Sequence, residues 1–209
     1  MELRFSKTEV RAVEISGVPN IQGYAAKYNT LSGDLGGFKE RIAPGAFARS
    51  LKEGCDCRCL YNHDQNLVLG RTKSGTLSLQ EDKVGLNFLC TLPDTSYARD
   101  LHTLIKRGDV SQCSFAFTVQ DDEWGVGLDD EGEQCSIRTL RDVNLMDVSA
   151  VTYPAYEDTQ VSARQLFPDG IPDGMPVEVR SRLWTRANQE TRDSWEMAAR
   201  RRVRNFILS

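Results

Sequence analysis

Histidine is the rarest residue in this 209-residue chain, with two copies, His63 and His102. Any reaction near neutral pH that needs an imidazole base therefore has two candidates. Long apolar runs are also missing: no stretch approaches the ~20 residues that span a bilayer, which argues against a membrane partner. The opening Met1-Glu2-Leu3-Arg4-Phe5 has no basic leader followed by an apolar block. That argues against a signal peptide and places the chain in the cytoplasm of the cell that makes it. An excess of positive charge is absent too, with 26 Lys plus Arg against 30 Asp plus Glu and a net charge of -4. Non-specific binding to nucleic acid needs clustered cations, so no nucleic-acid partner is expected. There is no internal repeat.

CxxC pairs, the usual start of a zinc site, are absent as well, although six cysteines are present: Cys55, Cys57, Cys59, Cys90, Cys113 and Cys135. In a reducing cytoplasm they are expected as thiols. The spacing of two in Cys55, Cys57 and Cys59 puts all three on one face of a strand, which favours buried small side chains over a tetrahedral metal site. No metal and no cofactor is expected. What the chain does have is 40% hydrophobic and 27% charged residues, the balance of a globular protein. Its length suits one domain plus an appendage.

Short segments with period-two alternation dominate the first three quarters. Residues 21–25, 57–61, 76–80, 86–90, 114–119, 135–140 and 147–151 read as strands, with a hairpin turn at 81–85. Two helices interrupt them. Residues 44–51 form a short one. Residues 95–107 form a longer one with an apolar stripe of Ala98, Leu101, Leu104 and Ile105, Thr95 or Ser96 as N-cap and Gly108 as stop. The expected fold is mainly β with flanking helices, a barrel or sandwich. Pro168, Gly170, Pro172, Gly174 and Pro176 then mark 166–176 as a linker between a domain at 1–165 and a basic helical tail at 177–209. Residues 166–209 hold eight Arg against six acids, so the tail is about +2 and the remainder about -6. The Arg200-Arg201-Arg202-Val203-Arg204 cluster is either a solvated helix end favoured by the macrodipole or a docking segment for an acidic partner.

Of the two histidines, His102 falls within the longer helix and is expected as an ordinary surface residue. His63 stands at the end of a strand in Tyr61-Asn62-His63-Asp64, where side chains reach a rim. Ser114 leaves the turn after that helix and opens an apolar strand, so its hydroxyl can be exposed while its backbone is held. Cys113 is an alternative nucleophile, but adjacent strand residues face opposite ways, so Cys113 and Ser114 cannot both meet one base. Asp147 leads into an apolar strand and shares a face with Ser149. It can orient a histidine or simply cap the strand. Asp64 points away from His63 by the same alternation.

Four blocks, taken in order, resemble the prohead serine proteases of tailed phages over about Gly23 to Ala155. They are Phe38 to Phe47, with Glu40-Arg41-Ile42-Ala43-Pro44-Gly45-Ala46-Phe47; Leu60-Tyr61-Asn62-His63-Asp64 with Leu69-Gly70-Arg71; Gly108 to Phe117; and Asp147-Val148-Ser149-Ala150-Val151-Thr152-Tyr153-Pro154-Ala155. The chain departs from the family pattern at Ala116, where Gly is usual after Ser-Phe, and at Asp147, where relatives often carry Glu. The resemblance implies a closed, mainly antiparallel β-barrel similar to herpesvirus capsid-maturation proteases. It implies His63 as base, Ser114 as nucleophile and Asp147 as the orienting acid of a serine endopeptidase. The oxyanion is expected to meet backbone N–H groups or a water held by an arginine. Arg71 is a candidate for that role, against a structural ion pair.

The implied partners are the major capsid protein with its scaffolding segment, and a second copy of the chain. The implied place is the immature prohead in the host cytoplasm, and the implied act is removal of the scaffolding segment together with self-cleavage. Two rivals stand beside this reading. One is a prohead assembly factor without catalysis. The other is a metal-binding module on Cys55, Cys57, Cys59 and His63.

Overall fold

A computed structural model describes residues 1–152, 167, 172 and 174–185. Among these residues nine strands form one strongly curved sheet: β1 (Glu2–Ile15), β2 (Val18–Lys27), β3 (Phe38–Ile42), β4 (Arg58–Tyr61), β5 (Asp64–Arg71), β6 (Leu77–Glu81), β7 (Gly85–Thr91), β8 (Gln112–Leu128) and β9 (Gln134–Val151). The helices are α1 (Ala48–Lys52) and α2 (Ser96–Arg107), and residues 177–185 form α3. The order across the sheet is β5-β4-β9-β8-β1-β2-β7-β6, with β3 also paired to β9.

The two ends of this path come together. A turn at Thr72–Ser74 carries the chain from β5 to β6, and the Thr91 amide of β7 donates to the Thr76 carbonyl. A Cβ on Gly70 of β5 would lie 2.5 Å from Cys90 Sγ of β7, so only glycine allows this close approach. The result is a mainly antiparallel, nearly closed barrel, which the family resemblance implies and which is one of the two architectures, barrel or sandwich, that the strand pattern leaves open. Two pairings, β3 with β9 and β4 with β9, are parallel.

The alternation of β8 and β9 divides inside from outside. Cys113, Phe115 and Phe117 of β8 and Val148 and Ala150 of β9 point into the barrel core with Ile21, Phe47, Phe88 and Leu101. The intervening residues, Ser114 on β8 and Asp147 and Ser149 on β9, face outward, yet all three are buried. Cys57, Cys59, Cys90 and Cys113 fill the core, and no disulfide links the cysteines.

On the outer face a second small core forms from Phe38, Phe167, Met175, Val179 and Leu183, with Leu35 and Trp124 packed against it. Phe167 and Met175 of the expected linker therefore pack as core residues, and α3 buries one face on the barrel. The remainder of the expected tail, 186–209, lies outside the described residues.

Beneath this second core sits a buried ionic network. Arg4 meets Glu40 through two bonds of 2.6 and 3.0 Å and Glu2 at 2.5 Å. Arg138 reaches Asp122 at 2.6 Å, Glu2 at 2.8 Å and Glu40 at 3.1 Å. Its guanidinium also lies over the Trp124 and Phe167 rings. Paired carboxylates hold both arginines even more firmly protonated than usual, overcoming the opposing effect of burial.

α2 corrects one expectation. His102 is buried, not a surface residue. The stripe that packs on the barrel is Ala98, Leu101, His102 and Ile105, spaced i, i+3, i+4, i+7, while Leu104 is only partly buried. The helix ends as expected on Gly108, at φ 86°, with its amide donating to Ile105.

Candidate active site

The site is built on three adjacent strands, β4, β9 and β8. β9 lies in the middle: Ser149 pairs with Ser114 of β8 on one side and with Leu60 of β4 on the other. Asp147 and Ser149 are two residues apart on one strand and so share the outer face. β4 runs parallel to β9 with Tyr61 opposite Ala150, so the turn that follows it overhangs the end of β9.

That turn carries His63. Tyr61 and Asp64 pair, leaving Asn62 and His63 as a two-residue hairpin connection, with φ of 55° and 57°. Two successive left-handed residues make a type I′ turn, whose twist suits a tight hairpin. A β-carbon in this region costs about 1 kcal/mol, and Asn and His tolerate it better than most. The turn is also tied down. The Asn62 amide donates to the Ala150 carbonyl at 2.9 Å, and Asn62 Oδ1 accepts from the Thr152 amide at 2.9 Å. The imidazole is thereby set over β9 by its own backbone.

His63 Nδ1 lies 2.6 Å from Asp147 Oδ1, and Nε2 lies 2.5 Å from Ser114 Oγ. The side chains of His63 and Asp147 are only 12% and 9% exposed, so this contact is largely out of water. Ser149 Oγ donates to Asp147 Oδ1 at 2.9 Å and lies 3.1 Å from His63 Nδ1. Ser114 Oγ has a second acceptor, the Arg4 carbonyl at 3.0 Å, because β1 runs antiparallel along β8 with Phe5 opposite Ser114. One hydroxyl proton thus faces both an imidazole nitrogen and a backbone oxygen. With a carboxylate on Nδ1, the imidazole proton belongs on Nδ1 and leaves Nε2 to accept from the serine.

The structure brings His63, Ser114 and Asp147 into one chain of hydrogen bonds. The other candidates fall elsewhere. Cys113 faces the core. The Cys57 thiol is pushed up by burial, and that of Cys59 by its hydrogen bond with Cys90 and then by burial, so both stay protonated. Cys57 and Cys59 lie on the inner side of the wall and His63 on the outer, so these groups do not converge on one metal. Asp64 accepts from the Asn66 amide within its own turn. Arg71 makes a two-pronged ion pair with Asp56, at 2.6 and 2.5 Å. Ser149 was readable from the shared face with Asp147. The Arg4 carbonyl carried no signal, since a backbone oxygen is the same in every residue.

The sequence matches the family model of the caudovirus prohead serine protease over residues 6–168. The chain belongs to that family. It is a serine protease of the prohead-maturation type, and the match takes in every strand from β2 to β9 and the whole hydrogen-bonded chain of side chains. Among solved structures it is similar to the bacteriophage T4 capsid assembly protease, gp21, at 11% identity and a TM-score of 0.42, covering 74% of this chain and 100% of that one. No curated protein matches the sequence. Among the described residues, no helix of this prohead protease is long and apolar enough to cross a membrane.

Proposed function

We propose that this protease matures the phage prohead by cutting the scaffolding segment from the major capsid protein, and that it also cuts itself. Ser114 is the nucleophile, His63 its base and Asp147 the acid that orients the base. The observation that carries the reading is the unbroken run of short contacts from Asp147 Oδ1 through both nitrogens of His63 to Ser114 Oγ. In the first step Ser114 Oγ attacks the peptide carbonyl carbon and its proton passes to His63 Nε2. His63 then gives that proton to the leaving amine as the C–N bond breaks, and an acyl-enzyme remains on Ser114. Water, deprotonated by the same nitrogen, releases the acid. Asp147 stays ionised throughout and stabilises the imidazolium.

Ser114 is fully buried. A substrate strand must therefore reach it by displacing what lies over the outer face of β8. The barrel at 1–165 would act on the capsid subunit inside the immature shell, in the host cytoplasm, and the basic residues beyond 185 would dock the enzyme there. Truncation after Thr185 tests that role while keeping Val179 and Leu183 in the second core. Packaging of the truncated chain at the wild-type level would exclude it.

Co-expression with the capsid subunit of the same genome tests the main reading. Wild type should shorten the subunit, and Ser114→Ala should leave it at full mass. Full-length subunits in both samples, within assembled shells, would favour a non-catalytic assembly factor.

A further inference from the structure

Ser149 takes no part in the steps above, yet it touches two of the groups that do. Its side chain is wholly buried, and its neighbours on the flanking strands are Ser114 and Leu60. A serine on a strand face often does no more than fill space. Here both ends of the hydroxyl are engaged. Its single proton points to Asp147 Oδ1 at 2.9 Å, since a carboxylate is the stronger acceptor. Its lone pairs then face His63 Nδ1 at 3.1 Å, so the Nδ1 proton is shared between Oδ1 at 2.6 Å and Oγ.

We propose that Ser149 is a positioning residue for this reaction: it locks the carboxylate of Asp147 on Nδ1 and acts as a second acceptor for the Nδ1 proton. The proposal rests on the assignment of His63, Ser114 and Asp147. The carboxylate of Asp147 turns about two single bonds, and its oxygen must stay in line with a ring held by a hairpin turn on another strand. A hydroxyl two residues along the same strand is fixed to the same backbone as the carboxylate. It therefore removes the freedom that would let Oδ1 swing away as charge develops on the ring.

The test uses the full-length protein labelled with 15N-histidine. With two histidines in the chain, the His63 Nδ1 proton is assigned by comparison with His102→Gln. Reaction with a fluorophosphonate serine probe, read by intact mass, gives the reactivity of Ser114. In Ser149→Ala the probe should react roughly tenfold to a hundredfold more slowly, the loss of one hydrogen bond to a charged group. The Nδ1 proton resonance should move upfield of its wild-type position, and in Asp147→Asn it should be lost as the ring proton passes to Nε2. Ser149→Thr, which keeps the hydroxyl, should restore the resonance, and with it most of the rate. The resonance reports the contact whether or not the probe reaches the buried serine. A Ser149→Ala protein with the wild-type resonance overturns the proposal at any rate of labelling, because a slower reaction alone would mark a packing role. Failure of the underlying assignment looks different: Ser114→Ala would then label as fast as wild type, or Asp147→Asn would leave the resonance where it is.

Discussion

Replacing Asp147 by asparagine isolates the electrostatics of the site at nearly constant shape. In the native arrangement the carboxylate accepts the Nδ1 proton at 2.6 Å. In the proposed mechanism, attack by Ser114 makes the ring an imidazolium whose charge centre lies about 4 Å from that of the carboxylate. At an effective dielectric of about 20, this pair is worth about 4 kcal/mol, or roughly a thousandfold in rate. Asparagine removes the charge and adds a second penalty. Its amide can donate to Nδ1, which drives the ring proton to Nε2 and leaves the serine with the Arg4 carbonyl as acceptor but with no base. Together these give an expected loss of about 10³ to 10⁴ in the cleavage rate. The assay is the time course of capsid-subunit shortening in co-assembled shells, with Ser114→Ala as the floor. Asp147→Glu keeps the charge but must fit one more methylene beside buried Ser149, so it should lose less than asparagine. A rate within about tenfold of wild type for Asp147→Asn would show that another acid orients the base, or that none is needed.

Three further outcomes follow from the scaffold. Arg138 is 1% exposed and partnered by Glu2, Glu40 and Asp122; Arg138→Met leaves the buried carboxylates of Glu2 and Glu40 with Arg4 alone and strips half-buried Asp122 of this partner, so it should destabilise by about 3–5 kcal/mol in urea unfolding, whereas a change below about 1 kcal/mol would mean that the network is solvated. Asp56 is held at about 2, chiefly by its hydrogen bonds to Arg71; a carboxyl lowered on folding stabilises above its unfolded pKa of about 4 and loses that contribution as pH falls toward 2, so Asp56→Asn should flatten the fall of the unfolding midpoint in this window, and parallel curves would refute the pairing. A Cβ on Gly85 would lie 2.0 Å from the Ala26 carbonyl oxygen of the paired strand; Gly85→Ala should lower the thermal midpoint by several degrees, and an unchanged midpoint would show that β2 and β7 part there at no cost.

Much of the barrel was legible because apolar residues recur with period two along stretches of these strands. The segments 21–25, 86–90 and 114–119 lie within β2, β7 and β8. Residues 135–140 and 147–151 read as two strands but form the single strand β9; the polar stretch Arg141-Asp142-Val143-Asn144 looks like a break. Its polarity instead serves α1, through Arg49 bonds to Asp142 and Asn144. β5 begins with Asp64-Gln65-Asn66, exposed at the sheet edge, so it lacks the alternation that betrays a strand. The proline-rich stretch resembles a linker in composition, but Phe167 and Met175 find a partner in Phe38, a contact of long sequence range that no local pattern encodes. For the site, residues alone singled out His63, Ser114 and Asp147 as candidates. The four-block resemblance joined them, since 51 and 33 residues separate them and only the β4-β9-β8 order makes them neighbours.

The same strand order bears on Ala116, at which the resemblance to the family leads one to expect glycine. A glycine is required where φ is positive or where a Cβ would strike a backbone. Neither condition holds: Ala116 has no left-handed backbone and is fully buried between Asp147 of β9 and Leu3 of β1, to which it is paired. Its methyl group lies on the same face of β8 as Ser114, two residues along the strand. The shorter acid at 147 follows the same logic. With Ser149 on one side and the hairpin bringing His63 down onto β9, an aspartate already reaches Nδ1 at 2.6 Å. A longer side chain would have to fold back, so the reach lost with one methylene is supplied by the turn at Asn62 and His63.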